Sequence, residues 1–125
     1  SGSPETGGAR APAVLCLRCI SGAFQGSLFP LSETPVRIGR DASVCEIVLP
    51  PNTSGVSRSH CEVRADATNK RIFLKDIGSS FGTQIVDGRR LYQGQQESLG
   101  LGGAFLLGNE LFLVVSANEA DGTSR

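Results

Sequence analysis

Gly39-Arg40, Ser57-Arg58-Ser59-His60 and Asp76-Ile77-Gly78-Ser79-Ser80-Phe81-Gly82-Thr83 gather two arginines, small hydroxyl residues and turn glycines between short apolar runs. A guanidinium presents a planar fork of N–H donors that matches two oxygens of an oxyanion, and neighbouring hydroxyls add directional donors. A phosphate monoester carries about −1.5 to −2 charge and three strong acceptor oxygens at neutral pH. One fork, one further cation and two hydroxyls make a matching donor set. No plausible acid–base pair stands among these residues to move a proton. They point to a binder of a phosphorylated group rather than to an enzyme.

Each residue also has a plainer reading. Arg40 can be one arm of a surface salt bridge with Asp41 or Glu46. Ser57 and Ser80 are ordinary turn residues, Gly78 and Gly82 ordinary turn glycines, and a lone histidine such as His60 commonly sits hydrogen-bonded in a core. Gly78-x-Ser80-x-Gly82 matches the G-x-S-x-G nucleophile elbow of hydrolases, but that motif needs a helix after the turn and a histidine after the serine. Here Thr83 to Val86 is β-type, and His60 precedes Ser80. Gly100-x-Gly102 lacks the third glycine of a dinucleotide loop, since Phe105 stands there.

The elements that must position these residues are strands. Residues 1–12, rich in Gly, Pro and Ala, read as a disordered tail, with Ser1-Gly2-Ser3 a cloning scar; 118–125 read as a second tail. The ordered domain is expected at 13–117. Within it no helical apolar stripe persists over three turns. Short β-type runs recur instead: Val14–Ile20, Ser27–Leu31, Val36–Ile38, Ile47–Leu49, Cys61–Ala65, Ile72–Leu74, Gln84–Val86, Ala104–Leu107 and Glu110–Val115. Asp87-Gly88 suggests a two-residue hairpin in which both positions accept positive φ, and Gly108-Asn109 a type II′ turn. About ten short strands and no helix make an all-β sandwich or barrel.

The 125 residues suffice for one domain. Lysine plus arginine number 12, as do aspartate plus glutamate, so no global field favours nucleic acid or an anionic membrane. Ten of the twelve cations are arginine, which favours bidentate contacts over diffuse attraction. The chain has no methionine and reads as an excised fragment. No apolar run reaches the ~18 residues of a membrane span. Cys16 and Cys19 look like a C-x-x-C motif, but residues three apart in a strand face opposite ways, and Cys45 and Cys61 lie far away. Reduced core thiols are expected, with no metal and no cofactor, in a reducing intracellular compartment, cytoplasmic or nuclear. Asn52-Thr53-Ser54 fits a glycosylation sequon that matters only for a secreted chain.

In this order, on an all-β background, Gly39-Arg40, Ser57-x-x-His60, Asp76 with Ser79-Ser80, Gly82-Thr83 and Asp87-Gly88 resemble a forkhead-associated domain over about 13–117. The resemblance implies an eleven-stranded antiparallel β-sandwich of the FHA/SMAD-like type, with ligand loops at one end. It implies recognition of phosphothreonine in a partner protein or peptide, no enzymatic activity, and a monomeric isolated domain without nucleic-acid or membrane partners. Arg40 would clamp the phosphate, Ser57 and Ser80 would supply hydroxyls, and Arg58 a second charge. Gly39, His60, Gly82 and Thr83 would support the loops. The family usually places Asn where this chain has Phe81, which cannot act as an amide donor and acceptor. Phe81 could pack against an apolar peptide side chain. It also keeps open an alternative, an interaction domain of the same fold that binds an unphosphorylated partner.

Overall fold

The computed structural model describes residues 15–116; the expected tails at 1–12 and 118–125 lie outside the described residues. Eleven strands run in chain order: β1 (Leu15–Ser21), β2 (Leu28–Pro30), β3 (Val36–Gly39), β4 (Ile47–Val48), β5 (Cys61–Asp66), β6 (Arg71–Asp76), β7 (Thr83–Ile85), β8 (Arg90–Leu91), β9 (Gln96–Gly100), β10 (Ala104–Leu107) and β11 (Glu110–Ser116). They form a five-stranded sheet, β9-β6-β5-β3-β4, and a six-stranded sheet, β2-β1-β11-β10-β7-β8. No helix occurs among the described residues.

Period-2 patterning explains the layers. In β5, Cys61, Val63 and Ala65 face inward while Glu62, Arg64 and Asp66 face out. β6 repeats this with Ile72, Leu74 and Asp76, paired antiparallel so that Cys61 lies opposite Asp76 and Val63 opposite Leu74. The opposing layer contributes Leu15 and Leu17 of β1, Phe105 and Leu107 of β10, and Phe112 and Val114 of β11 to one shared core. The Phe105 and Phe112 rings stack at 5.4 Å between centroids. Where β1 pairs with β11 the register slips between Leu111 and Phe112, leaving Ile20 without an opposite residue.

Three details depart from the residue-by-residue expectation. Strands β8 and β9 were not legible. β8 is two residues long, and β9 carries only Leu99 as a large apolar residue, because an edge strand supported on one side needs little apolar surface. The pairing is antiparallel except for β3 with β4, which run parallel with Ile38 opposite Ile47. The Asp87-Gly88 hairpin joins β7 to β8 through a three-residue loop rather than a two-residue one. Ile85 N–H donates to the Arg89 carbonyl at 2.7 Å, and only Gly88 has positive φ, at 112°. A left-handed glycine closing a three-residue loop satisfies the same local preference as the primed turn. At Gly108-Asn109 only Gly108 has positive φ, 60°, as a type II′ turn requires.

Candidate functional site

Three loops meet at one end of the sandwich: 40–46 between β3 and β4, 49–60 between β4 and β5, and 77–82, which crosses from β6 in one sheet to β7 in the other. Their backbones are tied together. Arg40 N–H donates to the Ser57 carbonyl at 3.3 Å, Asp41 N–H to the Arg58 carbonyl at 3.1 Å, and Ile77 N–H to the His60 carbonyl at 3.1 Å. Gly39 is required at the first junction, because a Cβ there would stand 2.1 Å from the Arg58 carbonyl oxygen. The Gly108 turn buttresses the second loop from below: a Cβ on it would stand 2.4 Å from the Ser54 carbonyl oxygen.

His60 is the internal brace. It is fully buried. Its Nδ1 accepts the Ser57 backbone N–H at 3.1 Å, and its Nε2 lies 3.0 Å from the Gly82 carbonyl. Those partners select one tautomer, neutral with the proton on Nε2, since Nδ1 must keep its lone pair and a carbonyl can only accept. Burial favours the same neutral form and pushes the imidazole pKa down, against smaller opposing effects of the Gly82 hydrogen bond and the Asp76 charge. With both nitrogens engaged and no exposure, His60 has no route to act on a ligand as acid or base.

Asp76 organises the third loop. Its Oδ1 accepts the backbone N–H groups of Gly78 and Ser79, both at 3.1 Å. Its Oδ2 accepts the Ser79 hydroxyl and, at 2.9 Å, the Thr83 hydroxyl. Ser79 Oγ in turn accepts Gly82 N–H at 2.8 Å. A fully buried carboxylate is tolerable because four donors replace its water shell. Asp76 carried a motif in the sequence without a role. The signal was available: an aspartate followed by Gly and Ser at the next two positions but one is an Asx-turn pattern.

On this frame the structure brings Arg40, Ser57, Arg58 and Ser80 around an open cleft of about 370 Å³, also lined by Ser59 and Gly78. A second cleft of about 340 Å³ shares Arg40, Ser57 and Ser80 and continues past Asn52, Thr53 and Phe81. Arg40 does not form the salt bridge open to it in sequence. Asp41 Oδ1 accepts Ser43 Oγ at 2.7 Å, and Glu46 Oε1 accepts the Arg37 N–H at 2.7 Å. The Asp41 carboxyl is held below its ordinary pKa chiefly by the Ser43 hydroxyl, with Arg58 a lesser cause. Arg40 instead donates from Nε to the Val56 carbonyl at 2.5 Å and from Nη1 to the Pro51 carbonyl at 2.6 Å. Two neutral acceptors fix the guanidinium without cancelling its charge and leave Nη2 uncommitted among the described residues.

Ser57 Oγ accepts the Ser80 backbone N–H at 3.0 Å. That bond occupies a lone pair of the hydroxyl and leaves its proton for an outside acceptor. Ser80 and Arg58 are exposed, and no side-chain hydrogen bond of either occurs among the described residues. Phe81 is 66% exposed beside them. Gly82 and Thr83 are buried behind the loop. All four cysteines are buried and unpaired, and burial pushes the Cys45 and Cys61 thiols up in pKa. Cys45 Sγ donates to the Arg58 carbonyl at 3.3 Å, beneath the second loop. The arrangement can hold an anion with a clamped guanidinium, a second cation and hydroxyl donors.

The FHA domain family model matches residues 36–108, more than half the chain and all three loops. No curated protein is similar enough to match. Among solved structures, the FHA domain of the CT664 protein from Chlamydia trachomatis is similar, at 28% identity over 82% of this chain and 96% of that one, TM-score 0.70. The FHA domain of an Arabidopsis thaliana hypothetical protein is 26% identical over 92% and 94%, TM-score 0.71. A domain studied for phosphothreonine-dependent FHA interactions is 28% identical over 82% and 95%, TM-score 0.64. A two-sheet β-sandwich with three loops braced at one end, matched by the family model across all three, belongs to the FHA domain family, whose members are interaction modules rather than enzymes.

Proposed function

We propose that this domain binds phosphothreonine in partner proteins and serves as an adaptor in phospho-dependent signalling. The observation that carries the reading is the Arg40 guanidinium, fixed by the Pro51 and Val56 carbonyls beside a Ser57 hydroxyl whose oxygen is already satisfied by Ser80 N–H. Donors set in place before a ligand arrives lose little freedom on binding. Arg40 and Ser57 take the phosphate oxygens, Arg58 adds charge from the same loop, and the Ser80 hydroxyl closes the third side. The domain of 28% identity studied for phosphothreonine-dependent interactions supports the reading. Threonine is favoured over serine because its methyl group adds about 0.8 kcal/mol when buried and its β-branched side chain has less rotamer freedom to lose. The setting we propose is intracellular, cytoplasmic or nuclear, in keeping with four unpaired thiols.

Titration calorimetry with matched phosphothreonine, phosphoserine and unphosphorylated peptides, selected from an oriented library, tests the proposal. The phosphothreonine form binds tightest. Arg40→Ala removes most of that binding, about 2–5 kcal/mol for a charge-assisted contact to a partly desolvated dianion. Ser57→Ala costs about 1 kcal/mol. Unchanged affinity in Arg40→Ala refutes the site. A second reading, recognition of an unphosphorylated partner, is favoured by exposed Phe81; it takes over if the unphosphorylated peptide binds and the phosphorylated one does not.

A further inference from the structure

The outer faces of the two sheets differ in chemistry. On the five-stranded sheet the outward positions of β5 and β6 carry Glu62, Arg64, Asp66, Arg71 and Lys75. The one aromatic ring among them, Phe73, lies under the Arg64 guanidinium at 4.3 Å. That is the polar face an antiparallel sheet turns to water. On the six-stranded sheet the alternation places Leu28 of β2, Arg18 of β1, Leu113 of β11 and Ala104 of β10 in one outward row, each opposite the next. Val86, which follows β7 and donates its N–H to the Ala104 carbonyl at 3.0 Å, extends that row. Leu111 and Leu106 form a second outward row, paired with each other, and Ile20 stands at the bulge in β1 beside Leu111.

Much of this face is open. Val86 is 56% exposed, Leu28 and Ile20 are each 37% exposed, and Leu106, Leu111 and Leu113 are half-buried. Toward Cys16 and Val115 the same face is buried, so its open part centres on Arg18 and Leu113. Arg18 is the one charged side chain at the outward positions of β1, β2, β7, β10 and β11. It makes no ion pair and no side-chain hydrogen bond among the described residues. The row from Leu28 to Val86 crosses β2, β1, β11, β10 and β7, about 19 Å at ~4.8 Å per strand, and the two rows stand about 7 Å apart along the strands. That footprint is long and narrow. A helix of about 13 residues spans about 19 Å and is about 10 Å wide, whereas a second sheet covers many rows. The backbones of β1, β10 and β11 are already paired within the sheet, so a partner on this face meets side chains alone.

We propose that the outer face of the six-stranded sheet docks an amphipathic helix of a partner protein, with apolar side chains on Leu28, Leu111, Leu113 and Val86 and a glutamate or aspartate paired with Arg18. Charge selects this occupant. A second copy docked face to face buries Arg18 against a surface that offers no carboxylate. Residues 117–125 carry Glu119 and Asp121, but their only apolar side chains are Ala117 and Ala120, too small to cover leucines. A helix with an apolar stripe and one acid covers the leucines and neutralises the guanidinium together. The surface is a sheet face rather than the loop end that carries Arg40 and Ser57, and it stands whether or not the phosphothreonine reading does.

The test is selection on the immobilised domain from a phage-displayed library of helical peptides, each roughly 14 residues long and randomised at i, i+3, i+4, i+7, i+8 and i+11. The best peptide is then measured by fluorescence anisotropy against single variants of the domain. Enriched peptides carry an apolar stripe interrupted by one acidic residue. Leu28→Ser and Leu113→Ser each weaken binding about fivefold. Arg18→Glu weakens it about tenfold or more, and a peptide whose acid is changed to lysine regains part of that loss. Phe73→Ser, on the opposite sheet, leaves the affinity unchanged. Circular dichroism melts show which variants are folded, and Leu28→Ser with Arg18→Glu carries the test if Leu113→Ser does not fold. No enrichment, enrichment of peptides without an acid, or binding indifferent to Arg18→Glu and Leu28→Ser overturns the proposal. Two further results overturn it by assigning the face elsewhere. A dimer in sedimentation equilibrium that Leu28→Ser disperses gives the face to a second copy. Displacement of the selected helix by a synthetic peptide of residues 117–125 gives it to that segment.

Discussion

Replacing His60 should destabilise the fold and disable the site together, because one buried ring joins the two loops that carry Ser57 and Gly82. His60→Ala strands the buried Gly82 carbonyl, at about 1–3 kcal/mol for an unsatisfied buried acceptor. The Ser57 N–H is partly buried and loses about 1 kcal/mol. The vacated volume adds about 1–2 kcal/mol where the surroundings relax only in part. The sum is about 3–6 kcal/mol. At about 4–8 °C per kcal/mol for a domain of this size, the melting temperature falls by well over about 10 °C. His60→Phe separates the terms: it fills the volume but makes neither hydrogen bond, so about 2–4 kcal/mol of the loss persists. Differential scanning calorimetry and urea denaturation give the stability, and peptide titration below the transition gives the binding. Arg40→Ala, whose partners are loop carbonyls near the surface, loses binding with a much smaller change in melting temperature. A His60→Phe protein that melts with the wild type refutes the brace and shows that the ring only fills space.

Three further outcomes follow from the same geometry. Since the folded state depresses the pKa of His60 below the ordinary 6.5, the unfolded chain binds more protons between those two values. Stability is therefore full above about pH 6.5 and declines as pH falls toward the depressed folded value. His60 is the chain's single histidine, so denaturation midpoints across this window flatten in His60→Phe, and a persisting slope assigns the effect to other groups. Asp76→Asn puts an amide N–H₂ against the Ser79 and Thr83 hydroxyl donors and costs about 2–3 kcal/mol through a broken charge-assisted network; an unchanged urea midpoint contradicts the assigned network. Phe81→Asn adds an amide donor and acceptor beside the cleft at a largely exposed position. It should tighten a phosphothreonine peptide by about 1 kcal/mol while a several-fold threonine-over-serine preference persists, and calorimetry showing weaker binding would argue that the ring itself contacts the partner.

The elements that depend on near neighbours were legible in the sequence. Alternation in Cys61–Asp66 and Arg71–Asp76 shows which residues face inward, because the strand period is two wherever the strand lies. Gly108 and Gly88 mark turns, because left-handed backbone favours glycine in any context. Arg40, Ser57, Arg58 and Ser80 stood out by residue type as donors for an anion. What each donor touches was not legible. The Arg40 fork rests on Pro51 and Val56 rather than on Asp41 or Glu46, and Arg90 reaches back to Phe81. Asp76 alone gathers Gly78, Ser79 and Thr83. The parallel β3–β4 pairing and the weakly apolar edge strand β9 were equally hidden. Patterning sets the face a side chain takes, but the partner it meets depends on which loop ends the sheet order places side by side. At the site end those partners are mostly backbone carbonyls and N–H groups, which every residue carries and no residue type announces. The donor chemistry of the candidate site is therefore written in side-chain identity, and the arrangement of those donors exists only once the two sheets have brought the three loops together.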